Sequence, residues 1–292
     1  MVLLITGIAV ISGGIMLAAR GDGRTGEAPP AIENIRPVEW GRDITLPFDE
    51  YRHSTREVNT IERAAAMVAK DCMHRFGQDW TVPASDAADP SIHSESGRYG
   101  VIDQVEVSQR GYHAAEEQTK PSDKVQQQPA LDAVMVYTGK GASTLNGQSI
   151  PEGGCLGEAR RKLAEGAPSS MSGAEFVELD YQLFSVAQAD GRVREAMKHW
   201  RECMAESGYD YADVWAANND VRWSEPTPSA EEIATAKTDV ACKTRTNLVS
   251  TWLAVETAYQ RRVIAERADE FDALKTRMRV IIDNASRITF TR

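Results

Sequence analysis

The sequence predicts a mainly α-helical protein with two disulfide-stapled halves, a long C-terminal helix and minor irregular β structure in its first half. The first observation is the pattern Cys-Met-x-x-x-Gly, which occurs at 72–77 and 203–208 and each time closes a stretch typical of a helix. The second is a set of serines placed as N-caps, since Ser before an apolar-periodic run marks a helix start. The third is that neither Gly nor Pro follows Pro228, so helix can continue to the C-terminus.

The composition is that of a globular protein, because 42% of the 292 residues are hydrophobic and 26% are charged. The formal net charge is -10, and the longest basic run is Arg160-Arg161-Lys162. Nucleic acid is excluded as a partner on this basis, because neutralising phosphates requires clustered Lys and Arg. An anionic lipid surface is disfavoured for the same reason.

The N-terminal segment 2–19 is uncharged and predicts a signal anchor, since a helix of this length reaches the lower limit for crossing about 30 Å of hydrocarbon. A cleaved signal peptide, with Ala19-Arg20-Gly21 as a weak site, is the alternative. Arg20 and Arg24 follow the segment, and the positive-inside tendency would then leave the main domain in the cytoplasm. The cysteine pattern favours the opposite orientation, and we therefore expect the main domain to lie outside the cytoplasm.

The four cysteines predict two disulfides, Cys72 with Cys155 and Cys203 with Cys242. Disulfides persist in oxidising compartments, so this pairing indicates a single-pass cell-membrane protein with an extracytoplasmic main domain, or alternatively a secreted one. The other interpretation is four free buried thiols, which pack as small hydrophobes in a cytosolic protein.

The first half, residues 40–171, is expected to be helical and rich in loops, after a Gly- and Pro-rich linker at 20–39. Ser54 and Thr55 predict the start of a helix that ends near Arg75 and turns Cys72 toward the core. Residues 83–129 predict an excursion that is largely loop, within which 99–107 is a short strand or an irregular edge. A short basic helix is expected after Cys155.

The second half, residues 172–292, predicts a helix capped by Ser172 and another that is stopped by Gly208. Ser229 and Glu232 then have the spacing of a capping box. Apolar residues from Phe271 to Ile288 repeat with heptad-like steps, so the C-terminal helix is expected to project as a coiled-coil arm that could mediate oligomerisation. The alternative is a bend at residues 265–269.

No motif in the chain carries a recognisable chemistry. The five histidines are scattered and no Cys-x-x-Cys occurs, so neither a metal site nor a cofactor is expected. The candidate binding surface is an aromatic cluster, because such side chains stack on sugars, peptides or apolar ligands when they are exposed. The alternative is that the cluster caps the core where two helices diverge. Its members are Tyr209, Tyr211, Trp215 and Trp223.

Three segments resemble a group of uncharacterised secreted or membrane-anchored actinobacterial proteins with paired cysteines. The first two are Trp200-x-x-Cys203-Met204-x-x-x-Gly208-Tyr209 and Gly153-Gly154-Cys155-x-Gly157-Glu158-Ala159, and the third is 232–243. The resemblance implies a helical fold and an envelope location, and it supplies no activity. The chain departs from lipoproteins in having no cysteine near the end of segment 2–19.

Together these features predict a non-catalytic binding or accessory module of the cell envelope that engages an envelope protein or a cell-wall component. The heptad-like seam favours a protein partner, because an exposed apolar seam must be buried against something. The alternative is an envelope hydrolase whose site lies in the first half, around Tyr99, Asp103 and Tyr112.

Overall fold

A computed structural model of the chain describes residues 28–80, 98–113 and 130–290. Within these residues the protein is mainly helical, with ten α-helices and one two-stranded β-sheet, which confirms the predicted fold class. Short 3₁₀ turns lie at Gly41–Asp43, Pro47–Tyr51 and Val221–Trp223. The α-helices are α1 (Thr55–Arg75), α2 (Gln104–Arg110), α3 (Leu131–Thr138), α4 (Gly154–Leu163), α5 (Gly173–Gln188), α6 (Gly191–Glu206), α7 (Val214–Asn218), α8 (Ala230–Arg245), α9 (Leu248–Glu266) and α10 (Ala268–Phe290).

Local capping explains why α1 and α5 begin where the sequence predicts. The Ser54 hydroxyl accepts the Glu57 backbone N–H at 3.3 Å, and the Glu57 carboxylate accepts the Ser54 N–H at 2.8 Å. Ser172 and Glu175 make the same reciprocal pair at the start of α5, at 3.2 and 2.7 Å. Each box satisfies two backbone donors that the first turn of a helix leaves unpaired.

The two halves each contain one disulfide, as predicted. Cys72 of α1 is joined to Cys155 of α4 with a Cα–Cα distance of 5.5 Å. Cys203 of α6 is joined to Cys242 of α8 with a Cα–Cα distance of 5.7 Å. All four cysteines are buried.

The repeated Cys-Met-x-x-x-Gly pattern gives the same helix ending in both halves. Gly77 and Gly208 both adopt positive φ, at 68° and 85°, which glycine accepts without strain. In each case the N–H one residue after the glycine returns to the carbonyl of the methionine, from Gln78 to Met73 at 3.1 Å and from Tyr209 to Met204 at 3.0 Å. This is the Schellman motif, so the sequence repeat is also a structural one.

An ion pair also recurs beside each disulfide, three residues after each cysteine. Arg75 of α1 donates to Glu158 of α4 at 2.6 Å, and Arg245 of α8 donates to Glu206 of α6 at 2.6 Å. The signs of the partners are exchanged between the two halves, while their positions are equivalent. Both pairs are solvent-exposed, so each contributes little to the free energy of unfolding.

The C-terminal region is three helices rather than one continuous helix, and the last of them, α10, is the long C-terminal helix with 23 residues. Asn247 separates α8 from α9 and adopts a left-handed conformation with φ 52°, which Asn tolerates better than most residues. Arg267, with φ -120° and ψ 35°, separates α9 from α10, within the 265–269 segment where the alternative placed a bend.

The last helix, α10, packs on its own chain and does not project as an arm. It contacts α1, α4, α9 and the turn at Pro47–Tyr51. The apolar face that reads as a heptad seam is covered there, since Phe271, Leu274 and Ala285 are buried. Partly buried Ile281 and Ile288 complete the contact with α1 and α4.

The core crosses the predicted boundary between residues 171 and 172. Its largest cluster joins Ile44, Tyr99 and Val107 from the first half with Trp200 and Trp252 from the second. A separate cluster around the first disulfide packs α1 against α3 and α4. The two disulfides therefore lie in different parts of the core, although the halves share the main cluster.

The described part of the predicted linker, residues 28–39, lies against the helices. Arg262 and Arg192 donate to the carbonyl oxygens of Ala28 and Pro30 at 3.0 and 2.8 Å. The Val38 N–H donates to the buried Ser250 hydroxyl at 3.0 Å. The predicted anchor, residues 2–19, lies outside the described residues. Among the residues that are described, no helix is both long enough and apolar enough to span a bilayer.

The β structure of the first half does not lie at residues 99–107, where a strand or an irregular edge was expected. These residues form a loop followed by the first turn of α2. The β structure lies instead at β1 (Thr144–Leu145) and β2 (Gln148–Ser149), which pair antiparallel. Asn146 and Gly147 connect them with positive φ at both residues, as a tight hairpin turn requires.

Candidate functional site

The candidate binding surface is the segment 209–223, which leaves α6 just after the second disulfide. Trp223 is buried, while Tyr209, Tyr211 and Trp215 are partly buried and pack against the main core cluster. The segment therefore contributes to the core and keeps the edges of three rings at the surface. Val221, which follows them in the same segment, is 85% exposed.

Trp215 belongs to an aromatic stack that extends into the core. Its ring centroid lies 5.4 Å from that of Trp252 at an interplanar angle of 86°. Phe184 stacks on Trp252 at 5.4 Å and 12° and contacts Trp215 edge-on at 6.0 Å, and Tyr99 contacts Trp252 edge-on at 5.5 Å. Such offset and edge contacts are the favoured geometries of aromatic pairs, so the base of the segment is held rigidly.

Tyr211 is fixed by a polar cluster at the surface. Its hydroxyl donates to Asp220 at 3.0 Å and accepts from Arg222 at 2.7 Å. Arg222 also bonds Asp220, which lowers the pKa of that carboxyl to about 2, and it reaches Glu231 of α8 at 2.6 Å. Burial, followed by the Asp220 bond, raises the pKa of the Tyr211 hydroxyl to about 12. The phenol is therefore neutral and cannot act as a base at physiological pH.

Trp223, the last residue of the segment, packs against Tyr112 of the first half. Its indole N–H donates to the Ala217 carbonyl at 2.8 Å, and its ring stacks on Tyr112 with centroids 6.0 Å apart. The Arg222 guanidinium lies over the Trp223 ring, 4.7 Å from its centroid. The alternative interpretation, that these aromatic side chains cap the core, fits the buried Trp223 and the contact of Trp215 with Trp252. The binding role of the four residues stays a prediction.

A buried ionic network lies beside the aromatic stack and centres on Glu256 of α9. Its carboxylate accepts from the Arg98 Nε at 2.9 Å, from the Arg98 Nη2, from the Tyr99 hydroxyl at 2.6 Å and from the Gln260 amide at 3.3 Å. Burial raises the pKa of the Glu256 carboxyl, an effect that its bonds to Arg98 and Tyr99 oppose.

The same network continues to Asp180 of α5. Asp180 accepts from Arg98 at 2.9 Å, from Arg52 at 2.7 Å and from Gln260 at 3.1 Å. The Gln260 carbonyl oxygen in turn accepts the buried Phe48 N–H at 3.0 Å. The network thus fastens two first-half segments to α5 and α9, which is a structural role.

A second buried pair lies between α6, α8 and the 99–103 loop. Lys243 donates to Asp239 at 2.9 Å and to the Val101 carbonyl at 2.8 Å, and the Trp200 indole donates to the other Asp239 oxygen at 2.9 Å. Complete burial raises the pKa of the Asp239 carboxyl, although Lys243 and Trp200 act in the opposite direction. Every polar atom of this Asp239 carboxylate therefore has a partner within the protein.

The residues of the alternative hydrolase site have structural partners. Tyr99 is buried and donates to Glu256. Asp103 caps α2 by accepting the Val105 and Glu106 N–H groups at 2.8 and 3.1 Å. Tyr112 is buried, and desolvation raises the pKa of its hydroxyl far above its ordinary value.

Glu232 has a role that the sequence does not reveal. Ser229 caps α8 by accepting the Glu232 N–H at 3.0 Å, but the Glu232 carboxylate does not complete the expected capping box. It is buried and accepts the Tyr112 N–H at 2.8 Å, and it contacts the His113 Nδ1 at 2.8 Å. Because these partners are more than a hundred residues away in sequence, no local signal could have identified them.

Two open grooves flank the segment 28–39. One, of about 530 Å³, lies between residues 31–45 and α9, and the other, of about 660 Å³, lies over the start of α6 and the α8–α9 connection. Within the described ranges, no group of three or more His, Cys, Asp or Glu residues could hold a metal ion. Neither groove brings together the ionisable residues discussed above.

No protein-family model, curated protein or solved structure matches the chain. A functional assignment therefore rests on its own residues and contacts.

Proposed function

We propose that the chain is a binding or accessory module of the cell envelope that works outside the cytoplasm without catalysis and engages an envelope protein or a wall component. The observation that carries the proposal is the pair of buried disulfides, Cys72–Cys155 and Cys203–Cys242. Disulfides of this structural kind persist in oxidising compartments and are rare in the cytosol of mesophiles. The proposal takes residues 2–19 as a single-pass anchor, or alternatively as a cleaved signal peptide.

The segment 209–223 supports a binding role. It follows a helix that the second disulfide fixes, and Tyr211 and Arg222 are held in place by Asp220 and Glu231. Rigid aromatic and Arg side chains lose little conformational entropy on binding and are enriched at the centres of interfaces.

The pairing of the buried ionisable groups supports a role without catalysis. Glu256, Asp180 and Asp239 are buried and bonded to cations and amides of the same chain. A general acid or base needs a proton position within reach of a substrate, which these carboxylates do not offer.

The binding test compares two tyrosine variants of the full-length chain. A photo-crosslinking residue at the exposed Val221 reports on partners, and sedimentation with purified insoluble wall polymer reports on the wall. We expect Tyr211→Ala to lose the crosslink or the sedimentation, and Tyr181→Ala to keep it. Tyr181 is the matched control, because it is an exposed tyrosine on α5 outside the segment.

Two results would contradict the proposal. One is an oxidised wild-type protein that neither crosslinks to an envelope protein nor sediments with wall polymer. The other is equal retention by both variants, provided that circular dichroism shows that both are folded, since this would remove the segment 209–223 from the binding surface.

A further inference from the structure

Both ring nitrogens of His113 face atoms that can only accept hydrogen bonds. Nδ1 lies 2.8 Å from the Glu232 carboxylate, and Nε2 lies 2.8 Å from the backbone carbonyl oxygen of Glu225. A neutral imidazole carries one N–H, so it can satisfy one of these acceptors. The imidazolium ion carries two and satisfies both.

The environment of Glu232 adds a reason for a positive charge at His113. The Glu232 side chain is 2% exposed, and the same oxygen that contacts His113 also accepts the Tyr112 N–H at 2.8 Å. A buried carboxylate without a cationic partner is costly. The His113 ring is 27% exposed, so a proton can reach it from solvent.

The two contacts of His113 join three elements. Glu232 lies in the first turn of α8, Glu225 lies in the connection from the Val221–Trp223 turn to α8, and His113 follows α2. Trp223 stacks on Tyr112, the residue next to His113. We propose that protonated His113 is a clamp that fixes the 224–228 connection and Trp223 to the end of α2, and that loss of its proton releases this connection.

Other charges on the surrounding elements do not replace the clamp. Arg222, on the Val221–Trp223 turn, is paired with Asp220 and with Glu231 of α8. Arg110, at the end of α2, accepts the His113 N–H through its backbone carbonyl at 3.0 Å. Further along α8, Asp239 and Lys243 pair with each other. The charged residues named on the elements around the ring are Arg110, Asp220, Arg222, Glu225, Glu231, Glu232, Asp239 and Lys243.

The direction of the pH dependence follows from these contacts. The Glu225 carbonyl first, and the Glu232 carboxylate second, raise the pKa of His113 above the ordinary value of 6.5. The unfolded chain therefore releases this proton at a lower pH than the folded chain. The stabilisation by the clamp is complete below the unfolded pKa and is lost as pH rises through the folded pKa. The connection is therefore fixed below the pKa that His113 has in the folded chain and is released above it.

The test is performed on the full-length chain by NMR, between pH 5.5 and 9. The His113 ring should titrate at a higher pH than the ordinary histidine pKa of 6.5. Protection from hydrogen exchange of the Tyr112 amide and the Trp223 indole N–H, corrected for the intrinsic effect of pH, should fall about tenfold over this range. A charge-assisted hydrogen bond of ordinary strength gives an effect of this size.

Variants distinguish the clamp from a general effect of pH. His113→Gln should keep both N–H groups at the lower protection at every pH, and His113→Arg, which stays charged, should remove most of the pH dependence. His199→Gln is the matched control and should behave as wild type. A His113 ring that titrates at or below the ordinary pKa of 6.5, or protection that falls equally in His113→Gln and wild type, would overturn the inference. The readout does not depend on the proposed function, because no partner is present.

Discussion

The Glu256 network gives the sharpest prediction about what holds the two halves together. Glu256→Gln keeps the size of the side chain but removes the charge that faces Arg98 and places an amide donor beside the Gln260 amide. Breaking a buried ion pair costs about 3–5 kcal/mol, because the remaining charge loses its partner. Arg98 is 19% exposed and still bonds Asp180, so the lower end of that range applies. We expect a loss of about 3 kcal/mol in the free energy of unfolding.

Equilibrium urea denaturation, followed by tryptophan fluorescence, measures this loss. With an m-value of about 3 kcal/mol/M, the midpoint should fall by about 1 M. The matched control is Glu206→Gln, because Glu206 and Arg245 are 67% and 58% exposed and such pairs contribute at most about 1 kcal/mol. If the two substitutions lower stability equally, or if Glu256→Gln costs less than about 1 kcal/mol, the network does not have the role assigned to it here.

Three further outcomes are expected from the same denaturation assay. Replacing Cys72 and Cys155 together by Ala should cost about 4.5 kcal/mol by the loop-entropy relation, since the bond spans 83 residues; an unchanged midpoint would contradict it. Lys243→Met should cost about 3–5 kcal/mol because it leaves the buried Asp239 without its cation, and the loss should shrink at low pH, where Asp239 takes up a proton. Asn247→Gly should be neutral or stabilising, whereas Asn247→Val should cost about 1–2 kcal/mol, because φ is 52° at this position; equal effects of the two would argue against a left-handed residue there.

The sequence predicted the elements whose signals are local. The helices α1 and α5 begin just after their N-caps Ser54 and Ser172, because each serine side chain accepts a backbone N–H of the first turn. The ends of α1 and α6 near Gly77 and Gly208 were also predictable, since glycine in a left-handed conformation stops a helix. The disulfide pairs followed from the two contexts in which the cysteines recur.

The parts that the sequence did not reveal depend on contacts between distant segments. The break at Asn247 carries no Gly or Pro that would mark it. The spacing of apolar residues in α10 suggested an exposed heptad seam, because the helices that cover this face, α1 and α4, lie far away in sequence. Arg98 and Glu256 are likewise 158 residues apart. Glu232 has the spacing of a capping box, yet its carboxylate turns to Tyr112, since burial against that N–H competes with the local bond.

The clustering of aromatic residues in the sequence located the candidate surface. It did not predict which parts of these side chains are buried and which are exposed. Tyr209, Tyr211, Trp215 and Trp223 cluster in sequence, and a sequence alone does not say which ring stacks on Trp252 or Tyr112. The stacking explains why the segment is fixed. The side chain of Val221 and the polar cluster around Arg222 belong to the exposed part of the segment.

The state of the four cysteines in the native cell decides whether the chain belongs to an oxidising compartment. Protein recovered from its source under conditions that block free thiols is digested without reduction, and its peptides are identified by mass spectrometry. We expect two cross-linked peptide pairs, Cys72 with Cys155 and Cys203 with Cys242. Four blocked free thiols would contradict this expectation, because a chain kept reduced in its cell would not belong to an oxidising compartment.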